Sequence, residues 1–323
     1  MTRPVTVLTL EQDVARFLAF KRAMGQGYRR GEFVLKALLR FLAVRYGDRA
    51  IPMEQALTLW TARGADRKAI TIGNEFGVVR QLCLFRRRSD PRCFVPEPAM
   101  APVRESVFVP YIFSREQVRD LIDAATRHED RSIWGGLLRA LTLVLYCTGM
   151  RLGEATRLRM LDVDLRRAVL TIQRSKGRSR ILPIRSDLVD ELRQYLGQRE
   201  KVLASPGDAC DPGVLFVRRD GSALSVQVAS NALRRLLRDQ GLKPPRGRCG
   251  ARPYELRHAF AVHRLTVWAT EGVDIHQKLP WLSAYLGHLN ILGTEVYLKA
   301  TPELLQLASQ RFAQHLQAKR RSP

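Results

Sequence analysis

The stretch after Arg88 constrains the fold more than any other part of the chain. Ser89-Asp90 is followed by four prolines in twelve residues, Pro91, Pro96, Pro98 and Pro102. Proline fixes φ, lacks a backbone N–H, and pushes the residue before it out of the helical region. No helix continues through such a segment, so it reads as an extended linker. The 323 residues then divide into two folding units, in line with roughly 150 residues per domain. The expected boundaries are 1–95 for a helical first domain, 96–112 for the linker and 113–323 for a larger second domain.

Hydrophobic spacing fills in both units. In the first, Val14, Phe17, Leu18 and Phe20 follow an acidic start at Glu11 and Asp13. Phe33, Val34, Ala37, Leu38, Phe41 and Leu42 form a broad apolar stripe on a second helix. Met53 to Trp60 and Ala69 to Leu84 predict two more, the last ending in Arg86-Arg87-Arg88. The second unit opens with Ser114 and Gln117 in capping-box spacing, ahead of Val118, Leu121 and Ile122. Leu137 to Cys147 is an apolar helix stopped near Gly149. Ala168–Ile172 and Ser179–Ile184 flank a polar turn at Gly177, which predicts a hairpin. Helices are expected at 186–203, 224–240, 253–270 and 276–287. A last one starts at Thr301-Pro302-Glu303, with Leu305, Ala308, Phe312 and Leu316 on one face. The fold class is mainly α with a small antiparallel β-sheet (α+β), the first domain being all-helical. Trp60, Trp134, Trp268 and Trp281 are scattered and read as core residues.

Composition narrows the function. The chain carries 54 Lys+Arg against 31 Asp+Glu, a net charge of +23. Residues 1–105 hold 19 basic and 10 acidic residues, leaving 35 and 21 for the rest, so the excess is +9 and +14. A polyanion is the natural partner of two basic units, with counterion release supplying affinity. Arginine outnumbers lysine 45 to 9, so an arginine-favouring genome is the alternative source of the bias. An apolar fraction of 46% excludes a disordered chain. The longest uncharged stretch, Leu279–Thr294, contains Pro280, Ser283, His288 and Asn290 and is no membrane span. Val5–Leu10 is too short for a signal-peptide core. Five cysteines without a CxxC pair argue against a disulfide framework or a zinc site. A reduced, cytoplasmic, nucleoid-associated protein is expected.

Four islands in the second unit carry chemistry. Thr148–Glu154 reads TGMRLGE, placing Arg151 past a glycine break with Glu154 three residues on. An arginine fork can hold two phosphate oxygens, and Glu154 can orient the guanidinium or the helix start. Lys176 sits at the hairpin tip in Gln173–Arg180 and is the only lysine between Lys68 and Lys201. Its ammonium can give up a proton where an arginine cannot. Tyr254–Ala261 reads YELRHAFA, with Arg257 beside His258. The fourth island is Tyr285-Leu-Gly-His288, with Tyr297 nine residues further on. Taken singly, each also fits a solvated or packed structural role. No glycine-rich phosphate loop, HExxH or GxSxG motif competes.

In this order and spacing the islands resemble the tyrosine recombinase (phage integrase) family, over about Phe113 to the C-terminus. Ser175–Pro183 and the run from Tyr285 to Glu303 look like mobile-element integrases and transposases. The first domain resembles the family's helical core-binding, DNA-binding domain in size, position and helicity. The resemblance implies that Arg151 and Arg257 hold the phosphate and that Tyr297 attacks phosphorus. Lys176 would protonate the leaving oxygen, His288 would donate a hydrogen bond to the phosphate, and Glu154 would support Arg151. No metal, cofactor or ATP is implied. The implied partners are double-stranded DNA and further copies of the chain, a tetramer on two duplexes with exchanged tails, with other recombinases as a further option. Tyr254 departs from the family's usual His or Lys three residues before the second arginine. A phenol is a poor proton acceptor at neutral pH, so the base role is not transferred to Tyr254, and His258 is the nearest candidate. The departure predicts slow or partner-dependent chemistry, and leaves a non-cleaving DNA-binding relative as the alternative. A topoisomerase is disfavoured. Arg234, Arg235 and Arg238 on one helix are the candidate DNA-contacting residues.

Overall fold

The computed structural model of the protein describes residues 4–63, 67–101, 110–128, 133–175, 178–204, 211–247 and 249–298, together with residues 306 and 309. The chain forms two compact units, Met1–Phe108 and Val109–Pro323.

In the first unit, Thr6 caps α1 (Val7–Ala23) by accepting from the Thr9 amide, so this helix starts a turn before the acidic residues that the sequence suggested. It packs with α2 (Arg29–Tyr46), α3 (Met53–Ala62) and α4 (Ala69–Arg87) around Leu10, Phe17, Leu38, Leu57, Trp60 and Leu82. α4 runs three residues past Leu84 because Arg86 turns inward, where its Nε donates to Asp13 on α1 at 2.6 Å. The unit is not purely helical. Two-residue strands, β1 (Pro4–Val5) and β2 (Ile51–Pro52), pair antiparallel and tie the N-terminus to the α2–α3 connection.

In the second unit, Ser114 and Gln117 close the expected capping box at the start of α5 (Arg115–Thr126). α6 (Gly135–Thr148) is the central element, with Leu137, Leu138, Leu141, Val144 and Leu145 in the core. A single turn follows, α7 (Leu152–Ala155). Strands β3 (Val163–Asp164), β4 (Val169–Ser175) and β5 (Arg178–Pro183) form an antiparallel sheet in that order, with Leu170 opposite Leu182 and Ile172 opposite Arg180. Four longer helices complete the layer: α8 (Ser186–Leu203), α9 (Val226–Asp239), α10 (Glu255–Thr270) and α11 (Ile275–Leu286). The short α12 (Leu292–Glu295) follows α11. α10 and α11 share a smaller core of Val262, Leu265, Leu279, Leu282 and Leu286, which also takes in Tyr297.

Trp60 is core as expected, but Trp281 is 73% exposed, because it lies on the outward face of α11 while Leu279 and Leu282 face in. Apart from Gln306 and Ser309, which are helical and exposed, the helix expected from Thr301 lies outside the described residues, as does the hairpin tip with Lys176. Among the described residues no helix is long and apolar enough to cross a membrane.

Candidate active site

The site is built on the end of a helix. α11 stops at Gly287, whose φ of +68° is the left-handed conformation that glycine adopts without strain. The last carbonyls of a helix lack intrahelical donors and carry the negative end of its dipole. Here three successive carbonyls accept from three different arginines. Arg180 Nε donates to Tyr285 at 2.9 Å, Arg257 Nη2 to Leu286 at 2.8 Å, and Arg151 Nη2 to Gly287 at 3.2 Å. The three cations come from β5, the first turn of α10 and the residue capping α7.

A second glycine end supports the same cluster. α6 stops at Gly149, also left-handed with φ +60°, and its carbonyl accepts from Arg257 Nη1 at 2.7 Å. A Cβ at this position would stand 2.5 Å from Phe260 Cδ1. Arg257 is 1% exposed, and its Nε–H has no hydrogen-bond partner among the described residues. Its pKa is held below the usual range, chiefly by burial, with the neighbouring Arg151 acting the same way.

Glu154 neutralises part of this charge. Its carboxylate accepts from the Arg151 backbone N–H at 2.9 Å and Arg151 Nη1 at 2.7 Å. It also accepts from Arg180 Nη2 at 2.8 Å and Nη1 at 3.3 Å. The sequence left open whether Glu154 orients the helix start or the guanidinium; it does both. Three arginines and one carboxylate leave the cluster at about +2, a site suited to an anion.

The aromatic side of the site carries the nucleophile candidate. His288 follows Gly287, and its Nδ1 lies 2.7 Å from the Thr294 hydroxyl on α12. Tyr297 is 1% exposed, stacked on His288 with centroids 6.3 Å apart and edge-on to His258 at 5.3 Å. Burial pushes its phenol up to about 12, against the opposing pull of the Arg257 cation. His258 is held down to about 4 by burial, then by Arg252 and Arg257, so its imidazole is neutral at pH 7. Its Nδ1 has no hydrogen-bond partner among the described residues, and its Nε2 lies 3.4 Å from Glu255 Oε2. Burial raises the Glu255 carboxyl while Arg252 opposes the shift. Tyr254 precedes α10, is 44% exposed and meets the His258 ring at 4.9 Å.

A family model described as the phage integrase family matches residues 112–303. The chain belongs to the phage integrase family. A protein of Sinorhizobium fredii named as an integrase/recombinase, y4rB, is 31% identical to this family member over 310 residues, 94% of this chain and 97% of that one. The tyrosine recombinase XerA of Thermococcus kodakarensis is 32% identical over 209 residues, 63% of each chain. Two solved structures share the fold at lower identity. The XerH site-specific recombinase bound to a palindromic difH substrate gives a TM-score of 0.66 at 18% identity, over 89% of this chain and 80% of that one. The Tn1549 transposon integrase in complex with transposon right end DNA also gives 0.66, at 17% identity, over 96% and 100%. The resemblance carried by the motifs therefore stands.

Of the residues singled out in this integrase-family sequence, Arg151, Glu154, Arg257, His258, His288 and Tyr297 come together, with Tyr254 at the edge. Lys176 is outside the described residues. Arg234, Arg235 and Arg238 are exposed on α9, which packs against α7. Three site residues escaped the sequence reading: Arg180, Thr294 and Gly287, whose carbonyl accepts from Arg151. The helix-ending Leu-Gly-His was a signal for Gly287. For Arg180 the clue was weaker, namely the strand alternation that puts it on the same face as the apolar Leu182.

Proposed function

We propose that the chain is a site-specific DNA recombinase that cleaves and rejoins duplex DNA through a 3′-phosphotyrosyl intermediate, as the integrase or transposase of a mobile element. The observation that carries this reading is the convergence of Arg151, Arg257, His288 and Tyr297 on the end of one helix. Two guanidinium groups docked on fixed carbonyls are already oriented, so they can neutralise phosphate charge as it grows without reorganising. Tyr297 Oη would pass its proton to the neutral His258, the nearest base candidate, and attack phosphorus, forming a P–O bond as the P–O5′ bond breaks. The departing 5′-oxygen takes a proton, assigned to Lys176. In the tautomer in which the Thr294 hydroxyl donates to Nδ1, the ring proton sits on Nε2, and His288 would donate it to a non-bridging oxygen. The phosphotyrosine conserves the energy of the broken bond, so attack by a 5′-hydroxyl rejoins the strand without ATP. Charge neutralisation falls to the arginines, and no metal or cofactor is assigned to a step.

The partners proposed are double-stranded DNA and a homotetramer on two duplexes, in the nucleoid of the cytoplasm. The lambda integrase, solved as a tetramer bound to a Holliday junction, supports that assembly, and the Tn1549 integrase supports the mobile-element role. The unit 1–95 is assigned as the core-binding domain, 96–112 as linker and 113–323 as the catalytic domain. Arg234, Arg235 and Arg238 are assigned to the DNA backbone. A partner-dependent relative that assists another recombinase is the second reading, favoured by the exposed Tyr254 where the family usually carries His or Lys.

The test is covalent trapping on nicked suicide duplexes from the DNA flanking the gene, with wild type beside Tyr297→Phe, resolved on a denaturing gel. A shifted band in the wild type, absent from the variant, is expected. Tight binding without a band on any duplex would favour the second reading, and a band restored by an added recombinase would identify the partner.

A further inference from the structure

Arg180 has no role in the reaction as assigned so far, yet its surroundings are shaped around it. Its side chain is 12% exposed, and all three guanidinium nitrogens are engaged. Nε holds the Tyr285 carbonyl, and the two Nη groups grip both oxygens of Glu154. Gly287 leaves the space for this. A Cβ there would lie 2.6 Å from Arg180 Nη1 and 2.8 Å from its Cζ. Any side chain at 287 would evict the guanidinium.

Each oxygen of Glu154 is shared between two arginines: Oε1 between Arg151 Nη1 and Arg180 Nη1, Oε2 between the Arg151 backbone N–H and Arg180 Nη2. A carboxylate next to a lone arginine three residues away would close a two-pronged pair with it, cancelling its charge and using its donors. Arg180 prevents that closure, because it occupies the second lone pair on each oxygen and fixes the plane of the carboxylate. Among the described residues the Arg151 guanidinium then donates once to Oε1 and once to Gly287, which leaves it donors for an anion.

We propose that Arg180 is a positioning residue for strand cleavage, which shares Glu154 with Arg151 and so keeps the carboxylate from closing a two-pronged pair with the Arg151 guanidinium, leaving Arg151 charge and donors for the scissile phosphate. This role rests on the recombinase reading above. It predicts a defect in handling phosphate charge, not in DNA affinity, since Arg180 is enclosed between β5, α7 and α11.

The readout compares two suicide duplexes that differ only at the scissile position, one a normal phosphodiester and one a methylphosphonate. The methylphosphonate is uncharged, so its cleavage has little need of a cation. Removing one preorganised charge stabiliser costs on the order of 100-fold in rate. Arg180→Met should therefore lose about 100-fold on the phosphodiester and less than about fivefold on the methylphosphonate, the pattern expected of Arg151→Ala. Gly287→Ala should reproduce it with Arg180 present, and Arg180→Lys, which keeps the charge without the fork, should recover part of the phosphodiester rate. DNA affinity should stay within about threefold of wild type, because the lost interaction belongs to the transition state. Equal losses on both duplexes, or wild-type rates on both, would overturn the positioning role alone. A wild type that forms no Tyr297-dependent adduct on any duplex would remove the cleavage reading, and this role with it.

Discussion

Replacing His258 by phenylalanine isolates the electrostatic cost of the ring behind Tyr297. The imidazole is buried against Tyr254, Glu255 and Tyr297, with Arg252 and Arg257 adding positive charge nearby. Its pKa falls from the ordinary 6.5 to about 4. Between those values the unfolded chain binds a proton that the folded chain refuses, so stability rises with pH. The contribution is complete above about pH 6.5 and is lost as pH falls through about 4. At 1.36 kcal/mol per pKa unit the full swing is about 3 kcal/mol, of which about 2 kcal/mol is lost by pH 5. Phenylalanine keeps the ring contacts and removes the titration, and the unpartnered Nδ1 edge needs no polar replacement. Glu255 acts in the opposite sense, since its raised carboxyl favours the folded state at low pH and loses that effect as pH rises through its folded value. Because Glu255 is present in both proteins, the difference between them reports His258. Urea unfolding of wild type and His258→Phe from pH 7.5 to 5, followed by far-UV circular dichroism and tryptophan fluorescence, measures that difference. Wild type should lose about 2 kcal/mol more than the variant. A difference below about 0.5 kcal/mol, or one of opposite sign, would refute a buried neutral imidazole.

Three other perturbations test separate parts of the site. Thr294→Val removes the oxygen partner of His288 Nδ1, so cleavage should fall by roughly 10- to 100-fold in single-turnover assays while Thr294→Ser stays near wild type, as expected for loss of an outer hydrogen bond. Gly149→Ala forces a left-handed alanine and drives its Cβ to 2.5 Å from Phe260, and strain of that kind should cost about 2–4 kcal/mol of unfolding free energy, read by chemical denaturation. If Arg234, Arg235 and Arg238 reach phosphates, each alanine substitution should flatten the slope of log affinity against log salt by about 0.9, measured by fluorescence anisotropy, whereas an unchanged slope would take α9 off the DNA.

Local chemistry carried much of this protein's description before any packing was known. Caps and periodicity act over three or four residues, so the capping box at Ser114 and the span of α8 were readable from neighbours in the chain. The same holds for the hairpin and for the helix ends at Gly149 and Gly287. The order and spacing of the Arg151, Arg257, His288 and Tyr297 motifs carried the family. What the sequence missed depends on contacts between distant segments. Arg151 and Gly287 are 136 positions apart and Arg180 and Tyr285 are 105 apart, and only the packing of β5, α7 and α10 on the end of α11 turns three arginines toward three adjacent carbonyls. Burial is likewise a property of the whole unit. Nothing local to Trp281 shows that its face of α11 is left outside, and nothing local to His258 or Tyr297 shows that both rings are enclosed. The sequence determined which groups are present and which elements carry them; the tertiary structure decided their protonation, their partners and their exposure, because desolvation and hydrogen bonding act through space and not along the chain.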